Sequence, residues 1–130
     1  MIVVDASVLA TALSDDRDDG LRARSRLVGQ RLSAPDLVDL EVTSLFRRLC
    51  AAKQLKAERA NQALADLAAI RLERVSHRWL IARCWELRHN LTVYEGAYVA
   101  LAEVLGATLV TADAKLVRAA GPRCLFDLLA

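Results

Sequence analysis

Ile2-Val-Val-Asp5-Ala-Ser-Val-Leu9 opens the chain, and Thr108-Leu-Val-Thr111-Ala-Asp113 repeats its logic near the end. Each is a short β-branched run that stops at an acid and gives way to helical residues. The first run, Ile2–Val4, reads as a buried strand with a helix over Ala6–Leu13 behind it. The second, Thr108–Thr111, reads as another buried strand, with a short helix over Ala114–Ala119. A strand followed directly by a helix is the unit from which parallel sheets are built.

Working outward, the rest of the chain continues the alternation. Ser14–Gly20 is acidic and polar and reads as a loop, and Leu21–Val28 reads as a helix. Leu32–Ala34 is a short strand closed by Pro35. Leu37–Lys53 has helical spacing, with Val38, Val42, Leu45 and Leu49 as its apolar stripe and Asp36 at the position of an N-cap. Lys56–Ala69 is a second amphipathic helix, joined to the first by a tight turn at Gln54, so the pair forms a helical hairpin. Ile70–Val75 reads as a strand whose charges put it near a sheet edge. Ser76–His89 reads as a helix capped by Ser76 and ended by Asn90. Tyr94–Leu105 carries Tyr94, Ala97, Tyr98, Leu101, Ala102 and Leu105 on one helical face and stops at Gly106. Gly121-Pro122 turns the chain into a last strand over Arg123–Phe126. The expected architecture is a three-layer α/β/α domain spanning 1–130, with a central, mostly parallel sheet of about five strands.

Composition narrows the classes. Hydrophobic residues make up 55% of the 130 positions and aromatics only 5%, so the core is built from Leu, Val and Ala. The formal net charge of +2 is too mild to prove a nucleic-acid partner. Lys53, Lys56 and Lys115 are the only lysines. The preference for arginine suits phosphate contacts and equally suits a GC-rich genome. The N-terminus lacks a basic segment before its apolar run, and no stretch approaches the roughly 18 apolar residues of a membrane span. Cys50, Cys84 and Cys124 have neither zinc spacing nor a disulfide pattern. The expected location is the cytoplasm, with the cysteines as small buried hydrophobes and His77 and His89 on helix surfaces.

Four acids stand out. Asp5 and Asp113 follow strands at the carboxyl edge of a parallel sheet, where ligands collect. Each is also a natural N-cap for the helix behind it. Glu41 projects beside the apolar stripe of its helix, where a charge is costly unless paired or coordinated. Its competing partner is Arg48, two turns on. Glu95 belongs to Thr92-Val-Tyr-Glu95, a capping-box pattern that explains it as well as ligation does. Together the four suit magnesium, which prefers hard oxygen ligands and keeps several waters. Such a cluster serves metal-assisted phosphodiester hydrolysis. No Ser/His/Asp set, Cys–His pair or Gly-rich phosphate loop offers a competing chemistry.

These motifs resemble those of the PIN-domain ribonucleases. Ile2-Val-Val-Asp-Ala-Ser-Val is similar to the family's opening. Pro35 with Leu40-Glu41-Val42, Tyr94-Glu-Gly-Ala-Tyr-Val-Ala-Leu-Ala and Thr111-Ala-Asp113-Ala-Lys-Leu are similar to its later acidic motifs, in the same order across nearly the whole chain. The short length points to the VapC toxins of type II toxin–antitoxin systems. The resemblance implies an endoribonuclease in which Asp5, Glu41, Glu95 and Asp113 surround Mg²⁺, with Mn²⁺ able to substitute, and Thr111 supports the metal through its hydroxyl. It also implies a tRNA or ribosomal RNA substrate, a homodimer, and a VapB-type antitoxin bound across the hairpin of Leu37–Lys53 and Lys56–Ala69. One departure is Glu95, where the family usually carries Asp. That departure supports an alternative, a catalytically inactive PIN-fold module that binds RNA or protein. A second alternative is another metal-dependent phosphoryl hydrolase. An aspartyl-phosphate enzyme would place a second Asp two residues after Asp5, where this chain has Ser7.

Overall fold

The computed structural model describes residues 1–129. Five strands form one sheet: β1 (Ile2–Val4), β2 (Leu32–Pro35), β3 (Leu72–Val75), β4 (Thr108–Thr111) and β5 (Phe126–Leu128). Their spatial order is β3-β2-β1-β4-β5, and every pairing is parallel. Seven α-helices flank it: α1 (Ala6–Ser14), α2 (Asp18–Leu27), α3 (Val38–Ala51), α4 (Ala57–Ala69), α5 (Ile81–Glu86), α6 (Val93–Leu105) and α7 (Ala114–Arg118). The three-layer parallel architecture expected from the alternation is therefore observed.

The chain first builds outward from β1 through β2 to β3 and then returns to place β4 on the other side of β1. This reversal leaves a crevice between the carboxyl ends of β1 and β4, the position where open parallel sheets bind ligands. Val3, Val4, Leu109 and Val110 have no measurable exposure, consistent with strands covered on both faces. α6 packs on β1, β2 and β4. Its middle, Gly96–Ala102, is buried on every side, while Tyr94 and Leu105 at its ends are exposed. Small residues permit that depth. A Cβ at Gly96 would lie 3.3 Å from the Cα of Cys84 on α5.

Several boundaries differ from expectation for identifiable reasons. The expected loop ends earlier than Gly20, because α2 starts at Asp18. There Gly20 must lie close to α1, and a Cβ on it would sit 1.8 Å from the Asp15 carbonyl oxygen. Asp36 does not cap α3. Its N–H donates to the Val75 carbonyl and prolongs the β2–β3 pairing, so Leu37 becomes the cap residue. The buried stripe of α3 is Val38, Val42 and Phe46 rather than Val38, Val42, Leu45 and Leu49. The turn between α3 and α4 closes by bonds from Lys53 N–H to Cys50 and Gln54 N–H to Leu49, with Lys53 left-handed at φ 59°.

β3 is an edge strand as expected and begins at Leu72. The helix expected over Ser76–His89 splits into a 3-10 turn, His77–Leu80, and the short α5; Ser76 does accept from the Arg78 N–H. His77 is half-buried, with Nδ1 enclosed and unpartnered, and His89 lies in the turn beyond α5. The last strand is Phe126–Leu128, not Arg123–Phe126: Leu125 is exposed and its carbonyl only begins the pairing with β4. Among the described residues no helix is long and apolar enough to cross a membrane, and Cys50, Cys84 and Cys124 are free thiols.

Candidate active site

Asp5 leaves β1 at the switch crevice. Its backbone N–H donates to Val110, which carries the β1–β4 pairing one residue beyond the strand. The side chain is 8% exposed and fully engaged. Oδ1 accepts from the Val8 N–H at 3.0 Å and from the Ser7 hydroxyl at 2.7 Å, while Oδ2 accepts from the Thr111 hydroxyl. Asp5 is thus the N-cap of α1 and also lies at the crevice, so capping and placement there do not exclude each other. Burial pushes its carboxyl above the usual aspartate value, and the charge of Asp113 adds to this. The hydrogen bonds from Thr111, Val8 and Ser7 only partly offset the rise.

Thr111 ends β4 and is completely buried. Besides donating to Asp5, its Oγ1 accepts from the Asp113 N–H at 3.1 Å. One hydroxyl therefore ties the ends of two adjacent strands. Asp113 caps α7 through the Lys115 N–H at 2.9 Å.

Glu41 rises from the first turn of α3, half-buried. It does not pair with Arg48. Instead, Oε1 accepts from the Tyr98 hydroxyl at 2.6 Å. Burial raises the Glu41 carboxyl, and the charges of Asp5 and Glu95 raise it further, against the lowering effect of Tyr98. Tyr98 is the residue that sequence reasoning missed. It counted as one more member of the apolar face of α6, and its burial bears that out, but its hydroxyl reaches the acids. A single phenol among the small residues Ala97, Val99 and Ala100 was the available signal.

Glu95 forms the complete capping box: Oε1 accepts from the Thr92 N–H at 2.8 Å, and the Glu95 N–H donates to Thr92 Oγ1 at 3.1 Å. It still faces the same space as the other acids. Asp5, Glu41, Glu95 and Asp113 all line one open cavity of about 340 Å³, with Ser7, Tyr98 and Arg48 among its other walls. The structure brings all four acids to that cavity, and Thr111 stands behind it. They do not form a tight cage. No group of three or more His, Cys, Asp or Glu side chains among the described residues is placed to hold an ion unaided. The cavity's potential metal ligands are all oxygens, with no histidine or cysteine on its walls. That donor set fits a hard cation that keeps part of its water shell, the way magnesium commonly binds.

This arrangement can be set beside known proteins. Residues 2–122 match the PIN domain family. The chain belongs to the PIN-domain family. Ribonuclease VapC9 of Mycobacterium tuberculosis (strain ATCC 25618 / H37Rv) is 42% identical to this PIN domain over 116 residues, 89% of this chain and 88% of the relative. Ribonuclease VapC1 of the same strain is 36% identical over 128 residues, covering 98% of this chain and 96% of the relative. A solved structure, described as VapBC2 from Rickettsia felis bound to a DNA fragment from their promoter, superposes with a TM-score of 0.63. That superposition covers 98% of each chain at 18% identity, and it establishes likeness of fold.

Proposed function

We propose that this PIN domain is a metal-dependent endoribonuclease of the VapC kind, the toxin of a toxin–antitoxin pair. The observation that carries the reading is the placement of Asp5 and Asp113 on either side of the β1–β4 crevice, with Glu41 and Glu95 facing the same cavity. The VapC ribonucleases that match nearly the whole chain supply the reaction class. A bound Mg²⁺ or Mn²⁺ would supply Lewis acidity toward the scissile phosphate and its attacking water. Asp5 and Asp113 would be the residues that hold the cation. Glu41, fixed by Tyr98, and Glu95, fixed by its cap, add negative charge from α3 and α6. Thr111 keeps Asp5 oriented and ties it to Asp113.

The substrate on this reading is a structured RNA such as tRNA or ribosomal RNA, cut in the cytoplasm. The test is cleavage of total RNA by the purified protein with Mg²⁺, with Mn²⁺ and with chelator. Wild type should cut only with divalent metal, and Asp5→Asn should abolish both cleavage and growth inhibition. An Asp5→Asn protein that stays folded and remains a full-strength nuclease overturns the assignment.

Two partner readings accompany it. A VapB-type antitoxin is supported by the VapBC structure that shares the fold. On the α3–α4 hairpin Phe46 is only 2% exposed and belongs to the core, while Leu49 and Leu55 are partly exposed. The antitoxin would lie across the α3–α4 hairpin, and a further apolar groove opens beside it where α4 meets α1 and α2. It measures about 610 Å³, is lined by Leu13, Leu27, Val28 and Ile70, and is edged by Arg59 and Arg71. A homodimer is supported by the other bare face, where Ile81, Trp85, Val93 and Tyr94 wall an apolar cavity of about 320 Å³ and Trp85 is 62% exposed. Sedimentation should give a dimer for wild type and a folded monomer for Trp85→Glu. A wild-type monomer at all concentrations removes the dimer.

A further inference from the structure

One side chain on the cavity wall is out of keeping with the rest. Arg48 sits on α3 seven residues after Glu41, on the same face, and lines the cavity with Asp5, Glu41, Glu95 and Asp113. It is the one basic residue on that wall. Among the described residues it makes no ion pair and no side-chain hydrogen bond. Arg26, Arg59, Arg74 and Arg83, by contrast, are each bound to a carboxylate. A guanidinium beside four carboxylates that pairs with none leaves its full set of donors for a ligand.

The charge of the cavity explains what it could serve. Carboxylates that are ionised there repel a polyanion, and one divalent cation offsets at most two of the four possible negative charges. A phosphodiester entering there needs a further cation whose donors are not already occupied. Arginine presents a planar fork that binds two phosphate oxygens at once and stays charged at every working pH. Position also matters. Glu41 and Arg48 are about 10 Å apart along the helix at 1.5 Å per residue. Glu41 and Arg48 therefore stand at different points of the same wall, so a strand whose one phosphate meets the acids can offer a neighbouring phosphate to Arg48.

We infer that Arg48 is a substrate-positioning residue that grips a backbone phosphate of the RNA beside the one being cut. The inference rests on the nuclease reading above, and it adds a residue outside the acidic motifs. Arg48 acts by holding the strand in register, so its loss weakens RNA binding and leaves metal binding intact.

The experiment uses a fluorescein-labelled oligoribonucleotide of randomised sequence. Binding is measured by anisotropy in the cleavage-deficient Asp5→Asn background, with Arg48 retained, changed to Ala or changed to Lys, across a salt series. Cleavage of the same probe is followed in the otherwise wild-type chain with MnCl₂. Arg48→Ala should weaken binding about tenfold, the scale of one charge-assisted contact. It should also lower the salt slope by about 0.7, the value for one phosphate on a single strand. In cleavage it should raise KM by a similar factor with a smaller effect on kcat. Arg48→Lys should keep the salt slope and recover part of the affinity. Calorimetric Mn²⁺ affinity should be the same in all Arg48 variants. Unchanged affinity and salt slope in Arg48→Ala, while wild type cleaves the probe, overturns the inference alone. Loss of Mn²⁺ affinity in that variant also overturns it, since Arg48 would then act on the acids. A wild-type chain that neither binds nor cuts the probe overturns the nuclease reading as well.

Discussion

The Tyr98 hydroxyl donates to Glu41 Oε1 at 2.6 Å, joining the buried centre of α6 to the acidic rim of α3. The phenol is held in the un-ionised form by burial and by the neighbouring Glu41 charge, so it remains a donor at any working pH. It both aims the Glu41 carboxylate and lowers its proton affinity against the burial that raises it.

Tyr98→Phe therefore has two expected effects. Cleavage should fall about tenfold, the scale of one hydrogen bond to a charged group. The acidic limb of the pH–rate profile should also move to higher pH, because Glu41 loses the donor that favours its ionised form. A profile that keeps its acidic limb while the rate falls would show that Tyr98 serves packing only.

Glu95 divides its role between cap and cavity. Glu95→Gln should leave the melting temperature nearly unchanged, since Gln also completes the box. It should weaken Mn²⁺ binding by a few-fold, less than Asp5→Asn does. Thr92→Ala should cost about 1 kcal/mol of stability through the lost cap. Paired calorimetric titrations and melts check both halves; equal Mn²⁺ affinity for wild type and Glu95→Gln would confine Glu95 to capping.

Much of this site was legible because strand ends are legible. Asp5 and Asp113 follow β-branched runs directly, and a parallel sheet sends such positions to one edge. Asp36 misled for a complementary reason. A cap residue and a residue that extends a strand pairing look alike in sequence, and only the Val75 carbonyl decides between them. The last strand slipped because apolar residues run on from Leu125 and Phe126 to Leu128 and Leu129, so its register is set by β4 rather than by any local pattern. Tyr98 stayed hidden because burial and hydrogen bonding to Glu41 require the same residue on the same helical face.

Away from the site, Arg83 gathers three elements. It binds Glu103 at 2.8 and 3.1 Å, Glu86 at 3.1 Å and the Gly121 carbonyl at 2.9 Å, while the Arg123 N–H also donates to Glu103 at 2.7 Å. Burial pushes the Glu103 carboxyl up, but these donors outweigh it, and the net value lies below the ordinary 4.5. A depressed folded value means stability that is present above 4.5 and lost as pH falls through the folded value. Glu103→Gln should therefore lose about 1.5–3 kcal/mol at neutral pH. Its melting temperature should converge with that of wild type in strong acid. A gap that persists unchanged into acid would contradict the ion pair as its source.

The central claim is that Asp5, Glu41, Glu95 and Asp113 form one cation site rather than four separate caps and surface charges. Burial raises the Asp5 and Glu41 carboxyls, with Asp113 adding to the first and Asp5 and Glu95 to the second, so the cation-free site opposes its own ionisation. A cation that binds the folded chain relieves this and stabilises by RT ln(1 + [L]/Kd), about 2.7 kcal/mol when its concentration is 100 times Kd. The direct measurement is a thermal melt of wild type and Asp5→Asn in chelator, in MnCl₂ and in NaCl of matched ionic strength. Wild type should melt higher in MnCl₂ than in NaCl. Asp5→Asn should melt at or above wild type in chelator yet gain less from MnCl₂. A wild-type protein with no shift specific to the divalent ion, under conditions where it cleaves RNA, would contradict the account.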